Sequence, residues 1–367
     1  MKRIALSICI TILLTSCQSI NQNYASTQTE SVDVLEYLSQ PKFIPLSQMY
    51  PEEGVVVFSM KETGYWIICV ASEMRIMEMC INYGDGYNYL RPTISPNGRY
   101  ITAVKEKEGE HSIVLINTEN GKIVYTTPRG AIYPVWSPDE KYLSFSYGED
   151  GKRNINIVEI ENIDKPVTKI TDDNYDNIIQ SWNKQEIMFL AKDDNIYKLY
   201  KLLIDKEENI MGQRIKILDV GENVRGIKWN HKEDTMAVVL RNTIGLLKEG
   251  GNTINIIAKE EGDIWDIIDW SIDDSYIAYT ITNKEKITNV CIINLLEGNS
   301  KYCLDMESKI LFRLMPVWGI NGEVIYIVRE KDKGTFIEKN NIINNELMQI
   351  SGQYGIKDWL SYYKLIR

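Results

Sequence analysis

A short line of this sequence comes back seven times, and that recurrence limits the fold more than any other feature. ISPNGRYITAV begins at Ile94, WSPDEKYLSFS at Trp136 and WNKQEIMFLA at Trp182. WNHKEDTMAVV begins at Trp229, WSIDDSYIAYT at Trp270 and WGINGEVIYIV at Trp318. A degenerate copy, MYPEEGVVVFS, begins at Met49 with the same internal spacing. The starts lie 45, 42, 46, 47, 41 and 48 residues apart, so each line heads a unit of similar length. Units of that size cannot bury a core singly and must stack on their neighbours.

Most copies run from an aromatic residue through a polar turn into alternating apolar residues, which reads as a strand, a turn and a second strand. The unit headed by Trp136 supplies four strands, YPVWS, YLSFS, NINIVEI and VTKIT, joined by turns such as SPDE and YGEDGKRN. Those turns are rich in Gly, Asp and Pro, as strand connections require. No long segment carries the 3.6-residue apolar period of a helix, so a helical solenoid is not supported. The period and the four strands together predict an all-β chain, a β-propeller of four-stranded blades. Seven blades are expected from the seven starts, with six and eight as alternatives. GIKDWLSYYKLIR repeats the spacing of IIDWSIDD, with Trp359 41 residues after Trp318. On the seven-blade reading this segment closes the ring by completing the blade built from residues 54–82, which hides sheet edges that would otherwise pair with other chains. The other arrangement is an eighth blade drawing on residues 32–40.

These lines resemble the WSPDG-type repeats of TolB-like propellers. The match is close in WSPDEKYLSFS and ISPNGRY and looser in WNKQE and WGINGEV, where the proline is missing; it runs from about residue 45 onward. The amino-terminal α/β domain of TolB itself has no counterpart here. The resemblance implies that each Trp packs between blades and that Ser137 belongs to a tight turn. Read alone, Ser137 beside Asp139 and Glu140 suggests a nucleophile with acidic helpers; read against its sibling lines it is architecture.

Residues 1–16 form a different kind of segment. Lys2 and Arg3 precede an apolar run, Ile4 to Leu14, that is too short to span a bilayer as a mature helix. The run ends in LLTSC, which resembles the lipobox of bacterial lipoproteins and implies cleavage before Cys17 and lipid attachment to its sulfur. Residues 17–42 then read as the lipidated Cys17 and a polar tether, and residues 43–367 as the propeller. Without Lys2 and Arg3 the chain carries 39 basic against 51 acidic residues, a formal charge of −12. That excess disfavours nucleic acid and direct adsorption to anionic lipid. The expected address is the bacterial cell envelope, with the periplasmic face of an outer membrane favoured, or the outer face of a single membrane. The membrane is reached through the anchor, and the protein is expected to be a monomer.

An exported compartment permits disulfides. Cys69 and Cys80 are 11 residues apart and Cys291 and Cys303 are 12 apart, each pair flanking a turn-like centre between β-rich runs. Opposed cysteines of a hairpin come within bridging distance, so Cys69–Cys80 and Cys291–Cys303 are the expected bridges. Four free thiols are the alternative.

Catalytic material is sparse. His111 and His231 fall in predicted loops without a second histidine at metal spacing, and there is no HExxH, CxxC, GxSxG, Walker or GxGxxG pattern. No catalytic residue, metal or cofactor is therefore expected. The acidic runs at Asp172, Asp173 and Asp176 and at Glu149 and Asp150 match no EF-hand spacing and read as loops between blades. Binding residues are sought instead where loops enter the innermost strands, around one mouth of the central channel. Counting five residues back from each start gives Tyr89, Ala131, Asn177, Val224, Trp265, Arg313 and Tyr354. Arg91, Arg129, Tyr133, Arg225 and Asp266 widen the same patch, and Tyr, Trp and Arg are the side chains that dominate binding hot spots. The expected function is a non-enzymatic envelope scaffold for a protein or peptide. The alternatives are glycan or small-ligand binding at the mouth, and a glycan-processing enzyme using the Asp172–Asp176 cluster.

Overall fold

The computed structural model describes residues 54–72, 78–183, 186–193, 195–203, 214–218, 224–332, 334–344, 346–351 and 356–364. Residues 1–53, with the signal segment, Cys17 and the tether, lie outside the described residues, as does Tyr354.

Strands follow one another in antiparallel sets of four. In the first blade β1 (Gly54–Glu62), β2 (Tyr65–Ser72) and β3 (Glu78–Ile81) pair in order. The second blade holds β4 (Asn88–Ile94), β5 (Tyr100–Lys107), β6 (Glu110–Asn117) and β7 (Ile123–Thr126), and the third β8 (Ala131–Trp136), β9 (Tyr142–Tyr147), β10 (Asn154–Glu159) and β11 (Thr168–Lys169). The fourth holds β12 (Asn177–Trp182), β13 (Glu186–Asp193), β14 (Ile196–Leu203) and β15 (Arg214–Leu218). The fifth holds β16 (Gly226–Trp229), β17 (Thr235–Val239), β18 (Thr243–Lys248) and β19 (Asn255–Lys259). The sixth holds β20 (Asp263–Trp270), β21 (Tyr276–Thr282), β22 (Thr288–Asn294) and β23 (Ser300–Cys303). The seventh holds β24 (Ile310–Trp318), β25 (Glu323–Glu330), β26 (Gly334–Asn341) and β27 (Glu346–Gln349). The last strand, β28 (Ile356–Lys364), returns to the first blade and pairs with β1, from Gly54↔Lys364 to Lys61↔Ile356. The seven-blade reading with a carboxy-terminal closing strand is the arrangement observed among the described residues.

Period-2 alternation explains how one strand serves two neighbours. Val55 and Val57 of β1 pack with Ile68 and Val70 against Ile101 and Val114 of the second blade. Val56, Phe58 and Met60 point the other way and pack against Val317, Ile325 and Ile337 of the seventh. The middle strands are thus buried on both faces, which is why GVVVFSM and WIICVAS read as continuous apolar runs. Seven clusters result, one for each contact between successive blades, and the cluster holding Phe58, Val317 and Leu360 closes the ring. The outermost strands β11, β23 and β27 are short and mostly exposed, as edges that must not recruit other chains should be.

The recurring line is the joint between neighbours. Trp136 stacks on Tyr100 and Trp182 on Tyr142, and Trp318 packs tilted against Tyr276, with ring centroids 6.1, 6.0 and 5.7 Å apart. In each pair the Trp of one line meets the Tyr that closes the turn of the line before it. Trp270 Nε1 donates to the Lys228 carbonyl and Trp318 Nε1 to the Asp269 carbonyl, fixing the same contact by hydrogen bond. Ser137 is 2% exposed, and its Oγ accepts the Tyr142 N–H (2.9 Å) while donating to Asp139 (2.8 Å). Ser95 and Ser271 accept the N–H of Tyr100 and Tyr276 in the same way. Changing Ser137 to Ala leaves the partly buried Tyr142 N–H without this acceptor, and should lower stability by about 1–3 kcal/mol. Chemical denaturation measures that loss, and an undiminished midpoint would contradict this role.

The turn also needs one left-handed residue. Gly98 (φ 71°) and Gly322 (φ 79°) supply it in two lines, whereas Glu140 (φ 59°), Glu233 (φ 58°) and Asp274 (φ 64°) supply it in three others. A non-glycine residue there is strained, and for Glu140 and Asp274 the side chain offsets the cost. Glu140 accepts the Asn97 N–H (2.8 Å) and Arg99 Nε (2.5 Å) of the preceding blade. Asp274 accepts the His231 N–H (2.8 Å) and Nδ1 (3.0 Å).

Two aspartates of these turns make the fold acid-sensitive. Burial pushes the Asp139 and Asp273 carboxyls up, but hydrogen bonds from Ser137 and Ser271 and from local N–H groups outweigh it, leaving both below the ordinary carboxylate range. The folded state therefore holds these protons less tightly than the unfolded chain does. Their stabilisation is present above the ordinary carboxylate pKa of about 4 and is lost as pH falls through it toward the lower folded values. Urea midpoints should drop over that window, and Asp139→Asn with Asp273→Asn should flatten the drop.

Both cysteine pairs are bridged. Cys69 faces Cys80 across β2 and β3, and Cys291 faces Cys303 across β22 and β23, with Cα separations of 4.1 and 3.9 Å. Each bridge ties an outermost strand to its blade.

Candidate functional site: the channel mouth

Because strands alternate in direction, the connections into each innermost strand and the hairpins between second and third strands share one face of the ring. Three cavities formed by described residues open there. The first, of about 640 Å³, takes Tyr133 from the third blade, Gln180 and Tyr197 from the fourth, Arg225 from the fifth, and Trp265 and Asp266 from the sixth. Four consecutive blades can contribute to one cavity only where their inner ends converge, at the channel mouth. A second cavity of about 650 Å³ lies between the second and third blades and includes His111, Arg129, Glu149, Asp150 and Arg153. A third, of about 510 Å³, shares Asp263 and Thr282 with the first and adds Arg241, Lys284 and Lys286.

Bulges in the innermost strands aim these side chains. Register shifts fall between Leu90 and Thr93, Ile132 and Val135, Ile179 and Ser181, Ile264 and Ile268, and Leu314 and Val317. The residues skipped by the pairing include Arg91, Tyr133, Gln180, Trp265, Asp266 and Met315. Arg91, Tyr133 and Met315 are left-handed (φ 52°, 59° and 58°), and each is followed by a proline, which has no N–H to lose at an unpaired position. Gln180 was missed by fixed counting, and the prolines at 92, 134 and 316, each two residues before the line's first residue, are the signal that locates the bulges.

Polar groups around the mouth are held in fixed positions. Asp176, 2% exposed, receives both Arg153 Nη1 contacts (3.2 Å) and the Tyr197 hydroxyl (2.7 Å). Burial, and then that hydrogen bond to Asp176, hold the Tyr197 phenol well above its usual range, so it stays a donor. The guanidinium carbons of Arg91 and Arg153 lie 5.5 and 5.9 Å from the Tyr133 ring centre. Arg225 donates to the Ile264 carbonyl (3.0 Å), and Trp265 Nε1 to Thr282 Oγ1 (2.9 Å).

The structure thus brings together five of the residues expected at the mouth, Tyr133, Val224, Arg225, Trp265 and Asp266, with Arg91 against Tyr133. Arg129 lines the second cavity and pairs with Glu110 (2.8 Å). Tyr89, Asn177 and Arg313 are 2%, 0% and 4% exposed, and their polar groups face inward. Tyr89 donates to Asp85 (2.8 Å), Asn177 to Asp173 (2.7 Å), and Arg313 to the Asp305 carbonyl. The acidic cluster divides among separate partners: Asp172 pairs with Lys169, Asp173 with Asn177 and Asp176 with Arg153. Among the described residues no group of three or more His, Cys, Asp or Glu side chains converges as a metal site.

Gly226 sets the spacing between the fifth and sixth blades at the cavity wall. A Cβ there would stand 2.2 Å from the Asp266 carbonyl oxygen. Gly226→Ala must therefore push two backbones apart, at a cost of about 1–3 kcal/mol. A thermal melt unchanged from the parent chain would show that the contact yields freely.

No protein-family model matches the sequence, and no curated protein matches it. Solved structures do. TolB from Acinetobacter baumannii aligns with TM-score 0.50 and 15% identity over 84% of this chain and 66% of TolB. A putative 6-phosphogluconolactonase from Bacteroides fragilis aligns with TM-score 0.60 and 12% identity over 86% of this chain and 99% of its own. A puromycin hydrolase aligns with TM-score 0.62 and 10% identity over 81% of this chain and 52% of its own. At these identities the likeness concerns the fold alone, and the fold is that of a β-propeller.

Proposed function

We propose that this chain is a non-enzymatic, lipid-anchored propeller of the bacterial cell envelope that binds an extended segment of a protein at its channel mouth. Cys17 would carry the anchor, through the LLTSC sequence that precedes and includes it. The observation that carries the reading is the cavity of about 640 Å³ fed by four blades, where Tyr133 and Trp265 stand beside Gln180, Arg225 and Asp266. Aromatic surface with a few fixed polar groups suits backbone and side chains of a peptide, and loops on a rigid ring hold such groups ready. An acidic chain favours a neutral or basic partner. A photo-crosslinking residue at Gln180 should capture a discrete envelope protein in cells, whereas one at Lys122, on the opposite face, should not. Equal capture at both sites, or none, would remove the proposal.

The cavity's volume also falls within the range of small-ligand pockets, which favours a glycan or other small molecule as the second reading. Under that reading the Gln180 crosslink would carry no protein, and a glycan would protect the mouth from labelling.

A further inference from the structure

Two of the lines that lack the turn proline carry an aliphatic residue in its place. In the turns joining first and second strands, Pro96 and Pro138 of the second and third blades and His231 of the fifth occupy the position taken by Ile272 in the sixth blade and Ile320 in the seventh. Ile272 is 43% exposed and Ile320 half-buried. The turns joining third and fourth strands show the same division. Leu296 (75% exposed) and Ile343 (91% exposed) tip them in the sixth and seventh blades, where Asn120, Asp164 and Gly250 lie in the described turns of other blades. Both kinds of turn lie on the face opposite the three cavities, because strands alternate in direction. The sixth and seventh blades are neighbours, joined by the parallel bridge Thr288↔Phe312 and a shared core. Four aliphatic tips are therefore gathered on one sector of one face.

The same face receives the chain from its amino-terminal side. β1 runs from this face toward the mouth, so Gly54, its first residue, lies here, paired with Lys364 of β28. The first blade adjoins the seventh. The chain that leads from Cys17 enters the described residues at Gly54, on this face.

We propose that this sector rests on the lipid surface to which Cys17 is anchored, with Ile272, Leu296, Ile320 and Ile343 seated at the headgroup boundary and the mouth turned away from the membrane. The inference rests on the reading of Cys17 as the lipid-bearing residue. Shallow apolar contact adds to an acyl anchor by fixing orientation. Asp273, Glu297 and the overall negative charge make the preferred surface zwitterionic, since anionic lipid would repel them.

The test uses the lipidated full chain on phosphatidylcholine vesicles, with backbone hydrogen exchange compared between the vesicle-bound and detergent-dispersed protein. Exchange in turns 295–299 and 342–344 should slow several-fold on vesicles, and that in the mouth hairpin 283–287 should not change. Replacing the four tips by Ser should remove the protection without releasing the protein, and its unchanged melting temperature would show that the fold is intact. Adding phosphatidylglycerol should not increase the protection. Flotation with vesicles but without protection overturns the orientation alone. Failure to float overturns the anchor and the orientation together. Protection that appears only when envelope protein is added assigns the sector to a protein partner and overturns the lipid assignment.

Discussion

Removal of residues 356–367 should leave a chain that no longer yields a soluble monomer. β28 is the innermost strand of the first blade, and its loss strips hydrogen-bonding partners from β1 along Gly54–Lys61. It also takes Leu360, 6% exposed, out of the cluster that joins the seventh blade to the first. Two consequences follow at once: an apolar edge strand is opened to other chains, and one of the seven contacts between blades loses part of its packing. The milder variant Leu360→Ala should cost about 2–5 kcal/mol, as large-to-small changes in a core do. Size-exclusion chromatography and thermal melting read both results. A truncated chain that elutes as a monomer and melts with the parent would show that the ring does not depend on its closing strand.

The second large effect concerns the mouth. Tyr133→Ala together with Trp265→Ala should weaken capture of the partner at least about 30-fold, the loss expected when a hot spot worth 2 kcal/mol or more is removed. Both side chains are only partly buried, so the fold should survive, although Trp265 also gives up its hydrogen bond to Thr282. Melting curves measured beside the binding assay separate the two effects. Arg129→Ala is the control, because its ion pair with Glu110 is exposed and belongs to the second cavity. Undiminished affinity in the double variant, with Arg129→Ala also silent, would move the binding surface away from the axis.

The architecture was legible because every blade solves the same packing problem with the same local chemistry. A Trp, a Ser or Asn acceptor, a left-handed turn residue and a Tyr recur because the joint recurs. The closing strand could be read because the IxDW spacing survives near Trp359 in a segment otherwise unlike a full line. The cysteine pairs could be read because a hairpin fixes which residues oppose each other. The mouth was only half legible, for a geometric reason. Counting a constant five residues back lands where each strand enters, and Ala131, Asn177 and Val224 are buried there. Tyr133, Gln180, Trp265 and Asp266, which line the cavity, sit at bulges, and the bulge differs in length: one residue is skipped at Gln180 and three from Trp265 to Ile267. Tyr89 and Arg313 carry the right chemistry for a mouth, but the strands turn them into contacts between or within blades. Side-chain type could be read from the sequence, and side-chain direction could not.

The alternation along β1 has a consequence for how such a chain can change over time. Odd-numbered Val55 and Val57 answer to one neighbour, and even-numbered Val56, Phe58 and Met60 to the other. Gaining or losing one residue inside such a strand would exchange the two sets and spoil both contacts together. Variation in length is therefore taken up by the turns and by the bulges of the innermost strands, and the lines lie 41 to 48 residues apart. Novelty in this lineage has to be written in the loops, in insertions at the mouth or at the tips, while the strands keep count.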